Sequence, residues 1–255
     1  MATSQDKNVL DTQTEGVQST TANQRQLNYY HAGPLFTIAD LHTNVLLSQE
    51  ISRASGDKFL PLLPQDLEQR GNVTPQNIRD KDIRALLSCD LALFTYDGAE
   101  LDSGTVVEFM IAKFADIPSV ILRTDFRGGG DQKSEDSPGQ PWNLMSSFWP
   151  RTSSVVVDAM LGYKQALAET ASGSADVDGG LNRQAGSTLI ERTAEKCVKA
   201  MNEAIQIPSR MPKELREHVY RWIALMPGYA EGEDDEDVRF MMDLLSKKDQ
   251  NGVLY

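Results

Sequence analysis

Two acidic residues, Asp102 and Glu108, lie on either side of a short polar turn that follows an apolar run, residues 91–94. The pattern predicts a buried strand, a turn through Ser103 and Gly104, and a helix that begins near Gly104. Glu108 would then lie in the first or second turn, where the positive end of the helix dipole favours an ionised carboxylate. Substitution at the anomeric carbon of a sugar needs such a pair, because one carboxylate attacks carbon while the other manages protons or hydroxyls. An ordinary strand, turn and helix with solvated acids shows the same pattern.

A second group of polar residues stands at the end of an earlier predicted strand, residues 27–32. Tyr30 can direct its hydroxyl into a cleft there, and the pair Gly33-Pro34 lets the backbone approach a ligand closely. His31 has no Ser or Cys partner at a spacing that suggests a catalytic triad. Because a tyrosine at a strand end more often serves packing, this motif alone does not identify a site.

Other polar residues are candidates on less specific grounds. Asp82 lies on the predicted second helix, where it and its neighbour Asp80 have the pattern of surface acids. Asn143 follows a Gly-rich loop, residues 123–141, and could deliver an amide to a polar site or cap a helix. Composition does not decide between these uses.

Apolar runs alternate with helical patterns from Leu27 to about Thr170. Strands are predicted at 27–32, 59–63, 91–95, 119–122 and 153–157, and helices from about 38, over 75–88, over 105–115 and over 159–170. Continuously apolar strands that alternate with helices favour a parallel sheet covered on both faces. Such sheets bind ligands outside the carboxyl ends of their strands, and Tyr30, Gly33 and Asp102 fall there.

Composition limits the classes of function. The chain has 255 residues and a net charge of −12, which argues against a duplex nucleic-acid binder. It has no apolar stretch near the ~20 residues of a membrane span, and residues 1–26 lack the apolar core of a secretory signal. Cys89 and Cys197 form no disulfide framework, so we expect a cytoplasmic protein. Without a phosphate-binding Gly-rich loop or a metal-ligand spacing, we expect neither cofactor nor metal.

Composition also divides the chain into segments. Residues 1–26 are polar and predict a disordered tail, and residues 27–170 predict the α/β domain. Residues 171–187 are rich in Gly, Ser, Ala and Asp and predict a linker. Residues 188–255 predict a helical C-terminal extension.

The motifs, taken in this order, resemble the nucleoside 2-deoxyribosyltransferase family. The resemblance lies in Tyr30-x-Ala32-Gly33-Pro34-Leu35-Phe36, in Asp102-x-Gly104-x-x-x-Glu108 and in Asn143-Leu144-Met145-Ser146, and it covers residues 27–170. It implies a flavodoxin-like, doubly wound sheet of five parallel strands. It also implies exchange of the base on a 2′-deoxynucleoside, through a deoxyribosyl ester of the Glu that a second base attacks with overall retention.

The same resemblance implies roles for individual residues. Glu108 would be the nucleophile, and Tyr30 would position it. Asp82 would face the nucleobase and help its protonation, although some members carry Asn there. Asp102 and Asn143 would hold the sugar hydroxyls, Asn143 from a neighbouring subunit of a homo-oligomer. The further predicted substrate-binding residues are Gly33, Gln65, Ser103 and Gly104.

Two other functions remain open at this point. A hydrolase of deoxynucleosides or their 5′-monophosphates would use the same Glu108 with water as acceptor, and Arg123 and Arg127 are possible phosphate ligands. A non-catalytic nucleotide-binding regulatory module is a different class. The set of Tyr30, Asp102, Glu108 and Asn143 argues against it. One departure from the family pattern is Phe109, at a position where Gly is common; its ring could crowd the site.

Overall fold

A computed structural model describes residues 25–67, 74–127, 131–132, 139–173, 180–226 and 234–254 of the chain. The tail predicted for residues 1–26 lies outside these ranges, except for its last two residues. The middle of the predicted linker, residues 174–179, also lies outside them.

Five strands form one parallel sheet. They are β1 (Leu27–Ala32), β2 (Phe59–Leu62), β3 (Leu91–Thr95), β4 (Ser119–Arg123) and β5 (Thr152–Val156). Their order across the sheet is β2-β1-β3-β4-β5, and every neighbouring pair is parallel. This is the order of flavodoxin-like sheets, whose topological switch point lies between β1 and β3. The predicted fold class is confirmed.

Helices cover both faces of this sheet. They are α1 (Ile38–Ala54), α2 (Pro75–Ser88), α3 (Ser103–Phe114), α4 (Ala159–Gly173), α5 (Gly180–Gln206), α6 (Arg216–Leu225) and α7 (Asp234–Gln250). Alternation along β1 shows the two layers, because Tyr29 belongs to the core under α1 and α5 whereas Tyr30 belongs to the core under α2 and α3. None of the described helices is long and apolar enough to cross a membrane.

Helix α3 begins slightly earlier than the sequence predicts. The predicted start lay at Gly104 or Thr105, but the first helical residue is Ser103 and Asp102 is the N-cap. The Oδ2 atom of Asp102 accepts hydrogen bonds from the amide of Thr105 at 2.7 Å and from its hydroxyl at 2.8 Å. A carboxylate at this position satisfies an amide that the first helical turn leaves without an intrahelical acceptor. The cap holds Asp102 at the carboxyl edge of the sheet.

Helix α5 corrects the linker predicted for residues 171–187. Residues 180–187 form its first two turns, and α4 extends to Gly173. Ala185 is fully buried, and α5 packs against α1, α4, β4 and β5. Small residues suggested a linker, but in a helix they allow close approach to neighbouring elements. The division of the chain into domain, linker and extension stays a prediction.

The last two helices attach to the amino edge of the sheet, opposite the switch-point loops. The guanidinium of Arg151, 2% exposed, donates hydrogen bonds of 2.5 to 3.1 Å to the carbonyl oxygens of Asp116, Ile207 and Val253. The buried ammonium of Lys248 on α7 donates to the carbonyl of Cys89, just before β3. These contacts satisfy backbone groups that the sheet edge would otherwise leave buried and unpaired.

Candidate active site

Tyr30 and Glu108 meet at the carboxyl edge of the sheet. The ring of Tyr30 is fully buried in β1, and its hydroxyl donates a 2.7 Å hydrogen bond to Oε1 of Glu108 in the second turn of α3. Burial, followed by the charge of Glu108, raises the pKa of Tyr30 far above its usual value. The tyrosine therefore stays a donor and holds the carboxylate in one orientation.

Glu108 itself is a weaker acid than an exposed glutamate. Its pKa is raised from 4.5 to about 7, chiefly because burial disfavours the charged form. The carboxylates of Asp82 and Asp102 raise this pKa further, while the hydrogen bond from Tyr30 opposes the shift. The shift is opposite in sign to the effect expected from the helix dipole, because desolvation and like charges outweigh it.

Asp82 faces this carboxylate from α2. Its charge acts on both Glu108 and Tyr30, so the structure brings the three residues together. Burial raises the pKa of Asp82 from 3.8 to about 6. Its Oδ1 atom is buried and has no hydrogen-bond partner among the described residues. The pattern of surface acids was misleading for both residues, because Asp82 is half-buried and Asp80, two residues earlier, is 7% exposed and paired with Arg79.

The first turn of α3 places Ser103 and Gly104 beside the acidic group. A Cβ atom on Gly104 would stand 3.2 Å from Oδ2 of Asp102, the atom that caps the helix. Gly104 thus leaves room for the capping carboxylate. Ser103 is exposed.

Gly33 and Gln65 lie around the end of β1, toward α1. A Cβ atom on Gly33 would stand 3.0 Å from the Cβ of Thr95 and 3.9 Å from Oδ1 of Asn44. The side chain of Gln65, just past β2, is held by α1 through hydrogen bonds with Asn44 and with the carbonyl of Leu41. These contacts bring the loops after β1 and β2 together at the switch point.

The sequence prediction missed Asn44 and Thr95. Asn44 lies on the buried stripe of α1 that Leu47, Ser48 and Ile51 continue, at a spacing typical of core positions. A polar side chain on such a stripe is the signal that could have found it. Thr95 ends β3, and its buried hydroxyl has no partner within the described ranges.

No hydrogen bond among the described residues joins Asn143 to the tyrosine–glutamate pair. Asn143 caps a short 3₁₀ helix, accepts from the amide of Met145 at 2.9 Å and donates to Asp131 at 3.2 Å. Together with Ser103 it lines a largely apolar groove of about 690 Å³ between α3 and this short helix. The side chains of Val107 and Met145 in this groove are 57% and 71% exposed. The predicted site residues thus lie in three places: the acidic cluster with the first turn of α3, the end of β1 toward α1, and the apolar groove that Ser103 shares with Asn143.

The arginines considered for phosphate binding are engaged by the protein. Arg123 is buried and donates to the carbonyl oxygens of Tyr96 at 2.6 Å and Gly98 at 3.3 Å. Arg127 pairs with Asp125. Within the described ranges, no group of His, Cys, Asp and Glu could hold a metal ion.

Phe109 does not crowd the acidic cluster. Its ring is fully buried and packs edge-on against Phe94 and Tyr96 in the core beneath α2 and α3. It therefore anchors α3 to the sheet, because aromatic pairs favour this edge-to-face arrangement.

The fold and the site together define a class of protein. It is a flavodoxin-like α/β domain in which a tyrosine holds a carboxylate at the switch point of the sheet. Residues 29–145 match the family model for nucleoside 2-deoxyribosyltransferase. The match covers the part of the chain in which the motifs showed the same resemblance.

Two solved structures illustrate the similarity. A conserved protein from Enterococcus faecalis V583 is 25% identical, with a TM-score of 0.44 and a match over 53% of this chain and 94% of that one. A 2-desoxiribosyltransferase from Leishmania mexicana is also 25% identical, with a TM-score of 0.36 and a match over 57% of this chain and 97% of that one. No curated protein matches this chain.

Proposed function

We propose that the chain transfers 2-deoxyribose between nucleobases, with Glu108 as the nucleophile. The observation that carries the proposal is the 2.7 Å hydrogen bond between Tyr30 and Oε1 of Glu108, in a cluster with Asp82 and Asp102. The match of residues 29–145 to the nucleoside 2-deoxyribosyltransferase family model supports it. The reaction needs no cofactor, since the bond broken and the bond formed are both to the anomeric carbon.

In the first step the carboxylate of Glu108 attacks the anomeric carbon of a 2′-deoxynucleoside. Tyr30 holds Oε1, so Oε2 is the oxygen that forms the ester. The electron pair of the glycosidic bond leaves with the base, which takes a proton from Asp82. The pKa of Asp82, about 6, lets part of the population carry that proton near neutral pH.

In the second step another base attacks the anomeric carbon of this ester, and the bond from that carbon to Oε2 breaks to release the carboxylate of Glu108. Asp82 accepts the proton that the incoming base loses. Two successive inversions at one carbon give overall retention. Asp102 would bind a sugar hydroxyl through Oδ1, because Oδ2 is the helix cap.

A second copy of the chain would complete the site. Asn143 lines the apolar groove together with Ser103, and in the proposed oligomer it would contact a sugar hydroxyl bound by a neighbouring subunit. The exposed Val107 and Met145 in the groove are surfaces that a homo-oligomer would cover. Both cysteines are buried and free, which fits the proposed cytoplasmic location.

Hydrolysis of deoxynucleosides, with water in place of the second base, is the second candidate and uses the same ester. The geometry favours it less for 5′-monophosphates, because Arg123 and Arg127 are engaged and the cluster carries three carboxylates. A regulatory nucleotide-binding module would have no use for an ester-forming carboxylate.

A chromatographic assay with deoxyinosine as donor and free adenine as acceptor tests the proposal on wild type and Glu108→Ala. Transfer predicts deoxyadenosine from wild type only. Hypoxanthine without deoxyadenosine would support the hydrolase. If Glu108→Ala exchanges bases as fast as the wild type, the assignment of Glu108 as the nucleophile is refuted.

A further inference from the structure

Three segments of the cleft meet at one buried side chain, Asn44 of α1. Asn44 is 7% exposed. Its Nδ2 atom donates a 3.1 Å hydrogen bond to the carbonyl of Pro34, in the loop after β1. The same atom donates a 3.3 Å bond to Oε1 of Gln65, in the segment after β2. Both hydrogens of the Asn44 amide are therefore used to join these two segments to α1.

We propose that Asn44 is a positioning residue that locks the side-chain amide of Gln65 in one orientation, so that Gln65 selects adenine over hypoxanthine. This inference rests on the proposed function and on the substrate-binding role that the family resemblance implies for Gln65, which we take as a contact with the nucleobase. Asn44 itself acts through Gln65 and touches no substrate.

The lock follows from what each atom of the Gln65 amide contacts. Oε1 accepts from Asn44, and Nε2 donates to the carbonyl of Leu41 at 3.2 Å. A flip of the amide would put its NH₂ group against the NH₂ of Asn44 and its oxygen against the Leu41 oxygen. Both pairs would be repulsive, so the flipped orientation is disfavoured.

Selection between the two bases follows from the hydrogen-bonding positions of the Gln65 amide that Asn44 and Leu41 do not occupy. Oε1 keeps a second lone pair and Nε2 keeps a second hydrogen, so Gln65 presents one acceptor beside one donor. This pair complements the N6 amino group and N7 of adenine, the edge that Gln recognises in a bidentate manner. Hypoxanthine has an oxygen at position 6, which the locked acceptor would face unfavourably. Without the lock the amide could reorient for either base.

Four variants of the full-length protein test the inference: Asn44→Leu, Gln65→Leu, the double variant and Ser48→Ala. Ser48 is the matched control, because it is also buried on α1 but bonds only to the carbonyl of Val45 among the described residues. Calorimetry with free adenine and with free hypoxanthine measures binding without turnover. The exchange assay with deoxyinosine as donor gives KM for adenine and kcat separately.

We expect Asn44→Leu to weaken adenine binding about tenfold, roughly the loss of one good hydrogen bond, and to change hypoxanthine binding much less. KM for adenine should rise while kcat changes little. In the Gln65→Leu background the Asn44→Leu change should have almost no further effect, and Ser48→Ala should retain the preference for adenine. If Asn44→Leu does not fold, Asn44→Asp takes its place. Aspartate keeps the shape of the side chain but replaces the donating amide with an acceptor, so this variant should also lose the preference for adenine over hypoxanthine.

Other outcomes overturn the inference or separate it from the proposed function. Equal effects of Asn44→Leu with and without Gln65 would show that Asn44 does not act through Gln65. If the effect of Asn44→Leu on adenine binding depends on Gln65 as expected, but the wild-type protein exchanges no base, the transferase is refuted and the role of Asn44 stands. A wild type that binds neither base would refute both.

Discussion

Gly33 and Thr95 approach each other across the β1–β3 switch point so closely that a Cβ atom on Gly33 would stand 3.0 Å from the Thr95 Cβ. Gly33→Ala should therefore force β1 and β3 apart at the cleft and displace Tyr30 from Glu108. We expect kcat/KM to fall about tenfold or more, since small misplacements at a reacting centre are costly. Steady-state kinetics at matched folded concentration measure the effect.

Gly186→Ala is the matched control for this substitution. Gly186 lies in α5, and its added Cβ would meet no atom within 4 Å. Alanine is the better helix former by up to about 1 kcal/mol, so this variant should be equally active and slightly more stable. Full activity of Gly33→Ala would show that the close approach at the switch point has no role in the site.

The pH dependence of activity should report the ionisation of Glu108. Because Glu108 must be ionised while Asp82 must carry its proton, kcat/KM should be bell-shaped with pH and highest between the two pKa values of about 6 and about 7. Tyr30→Phe removes the hydrogen bond that lowers the pKa of Glu108, so the maximum should become lower and move to higher pH. A pH–rate profile of both proteins tests this. A rise near pH 4.5 in wild type would contradict it.

The buried His31 should make the fold sensitive to acid. It is 1% exposed, neither ring nitrogen has a partner in the described ranges, and burial lowers its pKa from 6.5 to about 4. The unfolded chain binds a proton as the pH falls below 6.5, while folded His31 stays neutral until about pH 4. The contribution of His31 to the free energy of unfolding is therefore complete above pH 6.5 and falls as the pH drops toward 4, the pKa of folded His31. Between pH 8 and pH 5 the loss should be about 2 kcal/mol.

Urea unfolding of wild type, His31→Leu and His42→Leu at these two pH values measures this contribution. His42 is exposed and serves as the matched control. His31→Leu should lose less stability than wild type between pH 8 and pH 5, while His42→Leu should follow wild type. An identical loss in all three proteins would assign the acid sensitivity to other groups.

Arg151 should contribute to stability without contributing to chemistry. Arg151→Met leaves three buried carbonyl groups without their donor, so we expect unfolding to become easier by about 3 kcal/mol or more. Arg221→Met, which removes an exposed pair with Glu217 on α6, should cost less than about 1 kcal/mol. Urea unfolding measures both, and kcat per folded molecule should be unchanged in each.

Much of the fold could be predicted because its signals are local. Continuous apolar runs such as 91–94 identify buried parallel strands, and Thr74 before Pro75 identifies a helix start. The start of α3 was misplaced because Asp102 and Thr105 are both capping residues, and only the fold decides which one caps. The helical start of α5 was missed because its small residues resemble a linker when their packing is unknown.

The acidic cluster was predictable only in part. Tyr30 and Glu108 lie 78 positions apart, and motif order placed them at the same edge of the sheet. The sign of the Glu108 pKa shift depends on burial and on Asp82, which sequence spacing does not give. The junction at Asn44 joins three segments, and such a hydrogen-bond network is visible only in three dimensions.

The attachment of α6 and α7 at the amino edge separates two kinds of mutational effect. Strand β3 spans five residues, so Arg151 and the acidic cluster lie on the order of 17 Å apart along the sheet. Free-energy changes at sites more than about 10 Å apart usually add. Substitution of Arg151 should therefore show little epistasis with substitutions at Tyr30 or Glu108. The contacts of Arg151 at the amino edge can thus be altered, or strengthened by design, while the chemistry is changed independently at the other edge.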